Sequence, residues 1–219
     1  MPVTIILPTK NEAQSIASTI AAIRTICKDA EIVVVDGRST DDTKNIARWE
    51  QRVPVLIDDG RGKGSGLRMA FEWVLRNGDG DVIFVDPDGS YPLYLLPEFI
   101  EHLKHNDVVI GERTHFIAGS LPSVLRIGDW LSRRLFRLLY GQKLDNMSGF
   151  RGLSRRAIER MCLSEDGFGI ETEITAKAVR LGLRIKSIPI NYYPRKGKSK
   201  FRPLKDTFVV LRAMWRYRK

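Results

Sequence analysis

Short apolar runs alternate with helical patterns through the first half of the sequence. The runs are rich in β-branched residues, as expected of strands buried on both faces, and they cover residues 3–8, 31–36, 53–58, 81–86 and 107–111. Between them, apolar residues recur at helical spacing, for example Ile16, Ile20 and Ile23, and similar patterns cover 41–50, 64–76 and 93–104. This alternation predicts an α/β fold with a mainly parallel sheet and helices on both faces.

The second half of the sequence is less regular. Helical patterns cover 123–140, 154–163, 170–181 and 203–217, a strand-like run covers 183–194, and a glycine-rich stretch, SGFRG, covers 148–152. A chain of 219 residues with 43% apolar content is long enough for one sizeable core. Because no linker or repeat interrupts the pattern, we expect one domain over 1–202 and a basic C-terminal segment over 203–219.

Positive charge is concentrated at the C-terminal end. The formal net charge is +10, and residues 195–219 hold ten Lys or Arg against a single acid, Asp206. This distribution implies an anionic partner, but nucleic acid, phosphorylated metabolites and anionic membranes all fit. The two cysteines, Cys27 and Cys162, offer no disulfide framework, so we expect buried thiols in a reducing compartment. Since no run of about 18 apolar residues occurs, we expect a chain that is soluble or sits on a surface.

Polar residues gather where the predicted strands end. The clusters are PTKNE (8–12), DGRSTDDT (36–43), DDGRGKGSG (58–66) and DPDGSYP (86–92). Ligands of open parallel sheets bind beyond the carboxyl ends of the strands, so four clusters at one edge predict a binding site. Each cluster also has a structural interpretation: Asn11 suits a helix N-cap, as do the polar residues 39–41, and the glycines suit either a flexible loop or a diphosphate.

Asp86 and Asp88 form the most distinctive pair, since they follow a buried strand and flank a proline. Oxygen ligands of this kind select Mg²⁺ or Mn²⁺, and Mg²⁺ is usually held by one or two carboxylates together with substrate phosphates. The alternative is a helix N-terminus with favourable acids. The histidines are scattered and complete no zinc set; they are His102, His105 and His115.

The order and spacing of the motifs resemble the family-two glycosyltransferases and, within that family, the polyprenyl (dolichyl) phosphate hexose synthases. The resemblance spans almost the whole chain and rests on PTKNE, VVDGRSTDDT, GRGKGSGLRMA, DPDGSYP, GERT (111–114), DNMSGFRGLSR (145–155) and ETEITAKAVRLGLRIKSIPINYYPRKGKSK (171–200). It implies a glycosyltransferase A-type, Rossmann-like fold, with a catalytic domain over 1–202.

The resemblance also implies roles for individual residues. The base and ribose would be contacted by Pro8, Thr9, Glu12 and Asp36, and the rest of the nucleotide-sugar by Lys63, Arg68 and Asp86. Asp86 and Asp88 would form a Mg²⁺ or Mn²⁺ site, and Asp88 and Glu171 would have catalytic or sugar-positioning roles. The phosphate or acceptor would be contacted by Arg126, Lys198, Ser199, Lys200 and Arg202. The family's common VDDGS is VDGRS here, with Gly37 and Arg38 as the changed residues, so the choice between uridine and guanosine stays open.

The reaction implied by the resemblance is inverting, metal-dependent transfer of a hexose from a UDP- or GDP-sugar to polyprenyl phosphate. Such an acceptor needs no strong general base, because a phosphate monoester has a second pKa of about 6 and is already anionic near neutral pH. Another glycan or lipid-linked sugar is the alternative acceptor. A non-catalytic nucleic-acid-binding module is a remote alternative, since such a module has no use for DPDG at a strand end.

A lipid acceptor implies a membrane surface. Residues 124–140 and 208–219 mix apolar and aromatic residues with arginines, which suits an interfacial helix, although a helix packed on the sheet would explain 124–140 equally well. We therefore expect a cytoplasmic protein that is peripheral on the cytoplasmic face of a membrane and binds no nucleic acid. Whether a membrane-embedded partner subunit joins it stays open.

Overall fold

The protein forms one seven-stranded mixed sheet in a computed structural model that describes residues 3–78, 80–197 and 199–218. The strands are β1 (Val3–Thr9), β2 (Glu31–Asp36), β3 (Val55–Ile57), β4 (Asp81–Val85), β5 (Val108–Phe116), β6 (Phe150–Leu153) and β7 (Ile185–Tyr192). Their spatial order is β3-β2-β1-β4-β6-β5-β7. All neighbours pair in parallel except β6, which runs antiparallel to both β4 and β5.

The described residues also form eight helices. They are α1 (Ile16–Ile26), α2 (Thr43–Asn45, continued by a π turn at Ile46–Glu50), α3 (Lys63–Asn77), α4 (Leu96–Leu103, after a 3-10 turn at Leu93–Leu95), α5 (Ser123–Tyr140), α6 (Arg155–Met161), α7 (Ile170–Arg180) and α8 (Pro203–Arg216). Within the described ranges, no helix is both long enough and apolar enough to cross a bilayer.

Each face of the sheet buries its own hydrophobic core. Along β1, Ile6 faces the core formed with α3, α5, α6, α7 and α8, while Ile5 and Leu7 face the core formed with α1 and α4. Strands with both faces covered must be apolar at every position, which is why the β-branched runs are nearly continuous. The predicted α/β fold with helices on both faces is confirmed.

β6 lies in the stretch that read only as glycine-rich. The close approach of Leu103 explains one glycine, because a Cβ on Gly152 would come within 2.9 Å of its Cδ1 atom. Arg151 is fully buried in this strand and donates to the Thr175 hydroxyl at 2.7 Å and to the Asp145 carbonyl at 2.8 Å. With a buried arginine and glycines, the sequence of β6 does not show the apolar pattern of a strand, although β6 lies between β4 and β5 in the sheet.

The C-terminal helix α8 packs through one face only. Val210, Ala213 and Met214 are buried against the core, and the Tyr140 hydroxyl of α5 donates to the Met214 carbonyl at 2.7 Å. The opposite face leaves Leu204 and several other large apolar side chains exposed. Of the two cysteines, Cys27 is buried as expected, but the expectation was wrong for Cys162, which is exposed at the end of α6 with a φ of 44°.

Candidate active site

The predicted clusters meet in one cavity at the carboxyl edge of β1, β2 and β4. Its volume is about 880 Å³, and α7, the segment after β7, α5 and α8 complete its walls. The cavity is lined by most of the residues predicted from the sequence: Pro8, Thr9, Glu12, Lys63, Asp86, Asp88, Glu171, Ser199, Lys200 and Arg202. Lys198 lies outside the described residues.

Lys63 joins two carboxylates at the centre of the cavity. It is the first residue of α3, and its Nζ lies 2.6 Å from Asp86 Oδ1, after β4, and 2.7 Å from Glu171 Oε1, in the first turn of α7. Burial alone would lower the pKa of Lys63, but the two carboxylates outweigh burial and raise it, so Lys63 stays charged. Burial raises the pKa of Asp86, and Lys63 opposes that rise.

Glycine at position 149 makes room for this arrangement. A Cβ there would collide with Asp86 Oδ2 and would lie 3.0 Å from Lys63 Nζ. The antiparallel strand β6 begins at the next residue, Phe150, so the sheet itself brings this glycine against the carboxylate.

Asp88 is tied to the segment that follows β7. Its Oδ1 accepts hydrogen bonds from the Ser90 amide at 3.0 Å and from the Ser90 hydroxyl at 2.5 Å. Its Oδ2 lies 3.3 Å from a guanidinium nitrogen of Arg195, and its carbonyl accepts from the Lys196 amide at 2.7 Å. The segment after β7 therefore contacts the acidic pair through Asp88.

Lys200 makes a second connection between the segment after β7 and the carboxylates of the cavity. Its ammonium forms an ion pair with Glu12 and donates to the Asn11 carbonyl at 3.1 Å. Burial raises the pKa of Glu12, and the Lys200 ammonium partly offsets that rise. Two cations, Arg195 and Lys200, thus pair with the carboxylates that follow β4 and β1.

The acidic pair fits a hard divalent cation only with help from a substrate. No group of three or more His, Cys, Asp or Glu residues in the described part of the chain is arranged to hold a metal ion. Asp86 and Asp88 supply oxygen ligands alone, which is the donor set that Mg²⁺ or Mn²⁺ takes when diphosphate oxygens complete the coordination. Lys63 and Arg195, paired with these carboxylates, mark a place where positive charge is already favoured.

Three predicted residues are absent from the cavity lining that the described chain provides. Asp36 is fully buried, where its Oδ1 accepts from the Ser39 amide at 2.8 Å and holds the turn after β2. Arg68 forms an ion pair with Asp166, and the guanidinium of Arg126 lies 5.4 Å from the centre of the Phe116 ring. Their assigned contacts with nucleotide or phosphate therefore stay predictions.

An ion network that sequence reasoning missed supports the α5 wall. Arg113 of β5 lies 2.6 Å from Asp129 of α5 and 2.8 Å from Asp145, and Arg133 of α5 contacts the same two carboxylates at 2.8 and 2.6 Å. Asp145 is fully buried, and Arg113 and Asp129 line the cavity. The sequence does show an arginine in GERT and a single acid in the cationic helix α5, but neither residue indicates which side chain it pairs with.

The cavity has both a charged and an apolar part to its wall. Its charged side chains include Lys63, Asp86, Asp88 and Glu171. Its apolar side chains come from the loop before α5, from α5 itself, from the loop before α7 and from α8; they are Leu121, Leu125, Leu135, Phe168, Val210 and Leu211. One cavity can thus receive a ligand that has both a charged and an apolar part.

Comparison with known proteins gives a consistent result. The family model for glycosyl transferase family 2 matches residues 4–162. Glycosyltransferase AglJ of Haloferax volcanii is 32% identical over 219 residues, which cover 98% of this chain and 71% of that protein. A dolichyl-phosphate hexose transferase of the same organism is 32% identical over 202 residues, covering 91% of this chain and 86% of that protein.

A solved structure shares the fold. Glucosyl-3-phosphoglycerate synthase from Mycobacterium tuberculosis, crystallised with Mn²⁺, UDP and glucosyl-3-phosphoglycerate, matches with a TM-score of 0.76 at 22% identity, over 99% of this chain and 79% of that one. The mixed, mostly parallel sheet is thus that of the glycosyltransferase A-type enzymes. The resemblance drawn from the motifs is confirmed: the chain belongs to glycosyl transferase family 2 and is a glycosyltransferase.

Proposed function

We propose that this glycosyltransferase moves a hexose from a UDP- or GDP-linked sugar to a polyprenyl phosphate, at a membrane surface, with inversion and with a divalent metal ion. The observation that carries the proposal is the single cavity that combines acidic side chains beside β4 with apolar side chains of α5 and α8. Two curated relatives of similar length are named as a dolichyl-phosphate hexose transferase and an undecaprenyl-phosphate mannosyltransferase, which supports a lipid phosphate as acceptor.

The acidic end suits the donor diphosphate. Asp86 and Asp88 would hold Mg²⁺ or Mn²⁺, which when bound neutralises the charge of a leaving nucleoside diphosphate. The Lys63 ammonium, fixed between Asp86 and Glu171, adds a positive charge at the same place. We assign Glu171 to positioning rather than proton abstraction, because its carboxylate is 3% exposed and paired with Lys63.

The remaining lining suits an amphipathic acceptor. Arg195, Lys200 and Arg202 line the cavity and can meet a phosphate, while Leu125 and Leu211 lie among the apolar side chains that can meet a hydrocarbon chain. A neutral sugar acceptor would leave the apolar wall without a partner. The enzyme would then place an already anionic phosphate oxygen in line with the sugar.

Bond changes follow from this placement. The acceptor oxygen forms a bond to the anomeric carbon on the face opposite the bond that breaks, so the configuration inverts, and the bonding pair leaves with the diphosphate oxygen. No proton need be removed from the acceptor. The protein's contribution is alignment and electrostatic stabilisation by Lys63 and the cationic segment.

Two amphipathic helices offer a surface for the membrane. α5 exposes Trp130 and Leu138, and α8 exposes Leu204, Phe208 and Trp215, next to arginines on both helices. Apolar side chains of this kind enter the interface of a bilayer, and each nearby Lys or Arg adds about 1 kcal/mol at an anionic leaflet. We propose a peripheral position on the cytoplasmic face, where a membrane-embedded partner subunit could join the enzyme.

The test is a transfer assay with a panel of UDP- and GDP-sugars, a short polyprenyl phosphate and vesicles, with and without Mg²⁺ or Mn²⁺. We expect a lipid-linked sugar of inverted configuration with at least one donor, and loss of transfer on chelation. Asp88→Asn should abolish transfer, while Asp59→Asn, an exposed acid outside the cavity lining, serves as the matched control. Absence of transfer from every donor, with a folded enzyme, would contradict the proposal.

A further inference from the structure

A carboxylate of the cavity, at the end of β3, has no role in the proposed reaction. Asp58 follows β3, lines the cavity and is only 5% exposed. Its Oδ1 accepts a hydrogen bond from the Gly60 amide, which holds the side chain in place. Its Oδ2 accepts no hydrogen bond from any residue that the structure describes, and it is not among the buried polar atoms that lack a partner. The oxygen therefore reaches the cavity surface, where it can accept a hydrogen bond from a ligand.

Small residues shape the space beside this oxygen. Gly37 and Gly66 border it, since ideal Cβ atoms on them would lie 3.7 and 2.8 Å from Asp58 Oδ2. Pro8 and Val35 add apolar surface, and Lys10 lies beside Gly37. A space with two glycines, apolar surface and a fixed acceptor at one side suits a flat aromatic ring that presents an N–H at its edge.

The position of Asp58 in the sheet sets its distance from the acidic pair Asp86 and Asp88. In the order β3-β2-β1-β4, three strand intervals separate β3 from β4, whose end carries Asp86 and Asp88. At about 4.8 Å per interval, Asp58 and the acidic pair are roughly 14 Å apart across the sheet. An extended nucleoside diphosphate can cover this span, with its base near β3 and its diphosphate near β4.

We infer that Asp58 determines which base the donor carries, by accepting the imino N–H of uracil or guanine on Oδ2. This inference rests on the proposed function, since it assumes a nucleotide-sugar donor. Uracil N3 and guanine N1 both carry a hydrogen, whereas the matching ring nitrogens of cytosine and adenine carry a lone pair. A carboxylate oxygen attracts the first two bases and repels the other two, which provides selection by repulsion as well as by attraction.

Asp58→Asn separates this role from a structural one. An asparagine can keep its carbonyl oxygen on the Gly60 amide, so the turn after β3 is preserved, and its amide then places a donor where Oδ2 was. That donor opposes an imino N–H but matches the ring nitrogen of cytosine or adenine. A purely structural Asp58 would change the affinities for all four bases together, whereas a residue that reads the base changes their order.

The experiment measures dissociation constants of UDP, GDP, CDP and ADP by calorimetry, with Mg²⁺, for the full chain and for Asp58→Asn. We expect the wild type to bind UDP or GDP about 10- to 100-fold more tightly than CDP and ADP, as expected when a buried acceptor is left unpaired or opposed. Asp58→Asn should remove that gap, while Asp59→Asn should keep it. Methylation at N3 of UDP or N1 of GDP should weaken binding to the wild type by a similar factor.

The outcomes separate the inference from its premise. If the nucleotides bind but the four bases rank equally, or if Asp58→Asn leaves their order unchanged, the role of Asp58 is wrong and the proposed function stands. If none of the four nucleoside diphosphates binds to a folded enzyme, the proposed function and the role of Asp58 fail together. The separate UDP and GDP measurements also identify which imino base the protein accepts.

Discussion

Removing Asp145 should destabilise the protein more than a single surface mutation can. Its carboxylate is fully buried and accepts five hydrogen bonds, three from Arg113, one from Arg133 and one from the Met147 amide. Asp145→Ala leaves both guanidinium groups to share Asp129. Breaking a buried ion pair by deleting one partner typically costs about 3–5 kcal/mol, because a buried charge is left uncompensated.

The loss of unfolding free energy is measurable by urea unfolding, and the melting temperature by thermal unfolding, both followed by circular dichroism. For a chain of this length, each kcal/mol lowers the melting temperature by about 2–4 °C, so Asp145→Ala should lower it by roughly 6–20 °C. Asp145→Asn, which keeps one acceptor oxygen, should lose less. The control is Glu72→Ala, which removes the exposed partner of Arg76 at 3.7 Å and should leave the unfolding curve nearly unchanged.

A small effect would refute this reasoning. If Asp145→Ala loses less than about 1 kcal/mol, the network is not the desolvated unit that its burial indicates. The network also fixes α5, which carries the cavity residues Leu125, Asp129 and Ser132, against β5. We therefore expect Asp145→Ala to lower transferase activity as well, at temperatures where the variant is still folded.

Three further predictions concern acid stability, the membrane face and the acidic pair. Burial would raise the pKa of Asp145, but Arg113 and Arg133 outweigh burial and hold the pKa well below its ordinary value. The difference in unfolding free energy between wild type and Asp145→Asn, measured by urea titration, should therefore be constant above about pH 5 and shrink as pH falls below about 4. The double variant Leu204→Ser, Phe208→Ser changes exposed residues of α8 and should bind anionic vesicles at least about 10-fold more weakly, with an unchanged melting temperature; equal sedimentation with vesicles would contradict the interfacial role. Gly149→Ala places a methyl group against Asp86 and Lys63, so transfer should fall by about 10-fold or more in kcat. Gly167→Ala, where a Cβ meets nothing within 4 Å and which lies outside the cavity lining, should stay active.

The sequence predicted most of the fold because its signals are local. The β-branched runs place β1, β2 and β4 within a residue or two of their observed bounds, and a polar cluster after each strand is enough to gather Asp86, Asp88 and Glu12 at one edge. Strand direction does the rest, since parallel strands bring their carboxyl ends together. Glu171 was reached only through the family resemblance, because nothing in its local pattern distinguishes it from a surface acid of a helix.

What the sequence could not predict depends on distant partners. Arg113 and Asp145 are 32 positions apart, and their pairing becomes visible only when β5 and β6 are neighbours in the sheet. The strand β6 was missed for a related reason, since its glycine and its buried arginine have their causes in α4 and α7 rather than in β6 itself. Long-range packing decides such positions, and local propensity has little influence on them.

The loop before α7 connects the part of the cavity that holds Lys63 to the C-terminal helix α8. The Asp166 carbonyl accepts from the Ser65 amide at 3.0 Å, and a Cβ on Gly64 would collide with the Glu165 carbonyl, so this loop packs directly on the first turn of α3. The buried carboxylate of Glu165 in turn lies 3.4 Å from Arg212 and 3.6 Å from Arg216 of α8. The turn that presents Lys63 to the acidic pair therefore shares a support with the helix whose outer face we assign to the membrane. A shared support holds the first turn of α3 and α8 in a defined relative position, and the proposed in-line transfer needs the donor sugar and the acceptor phosphate to be aligned with each other.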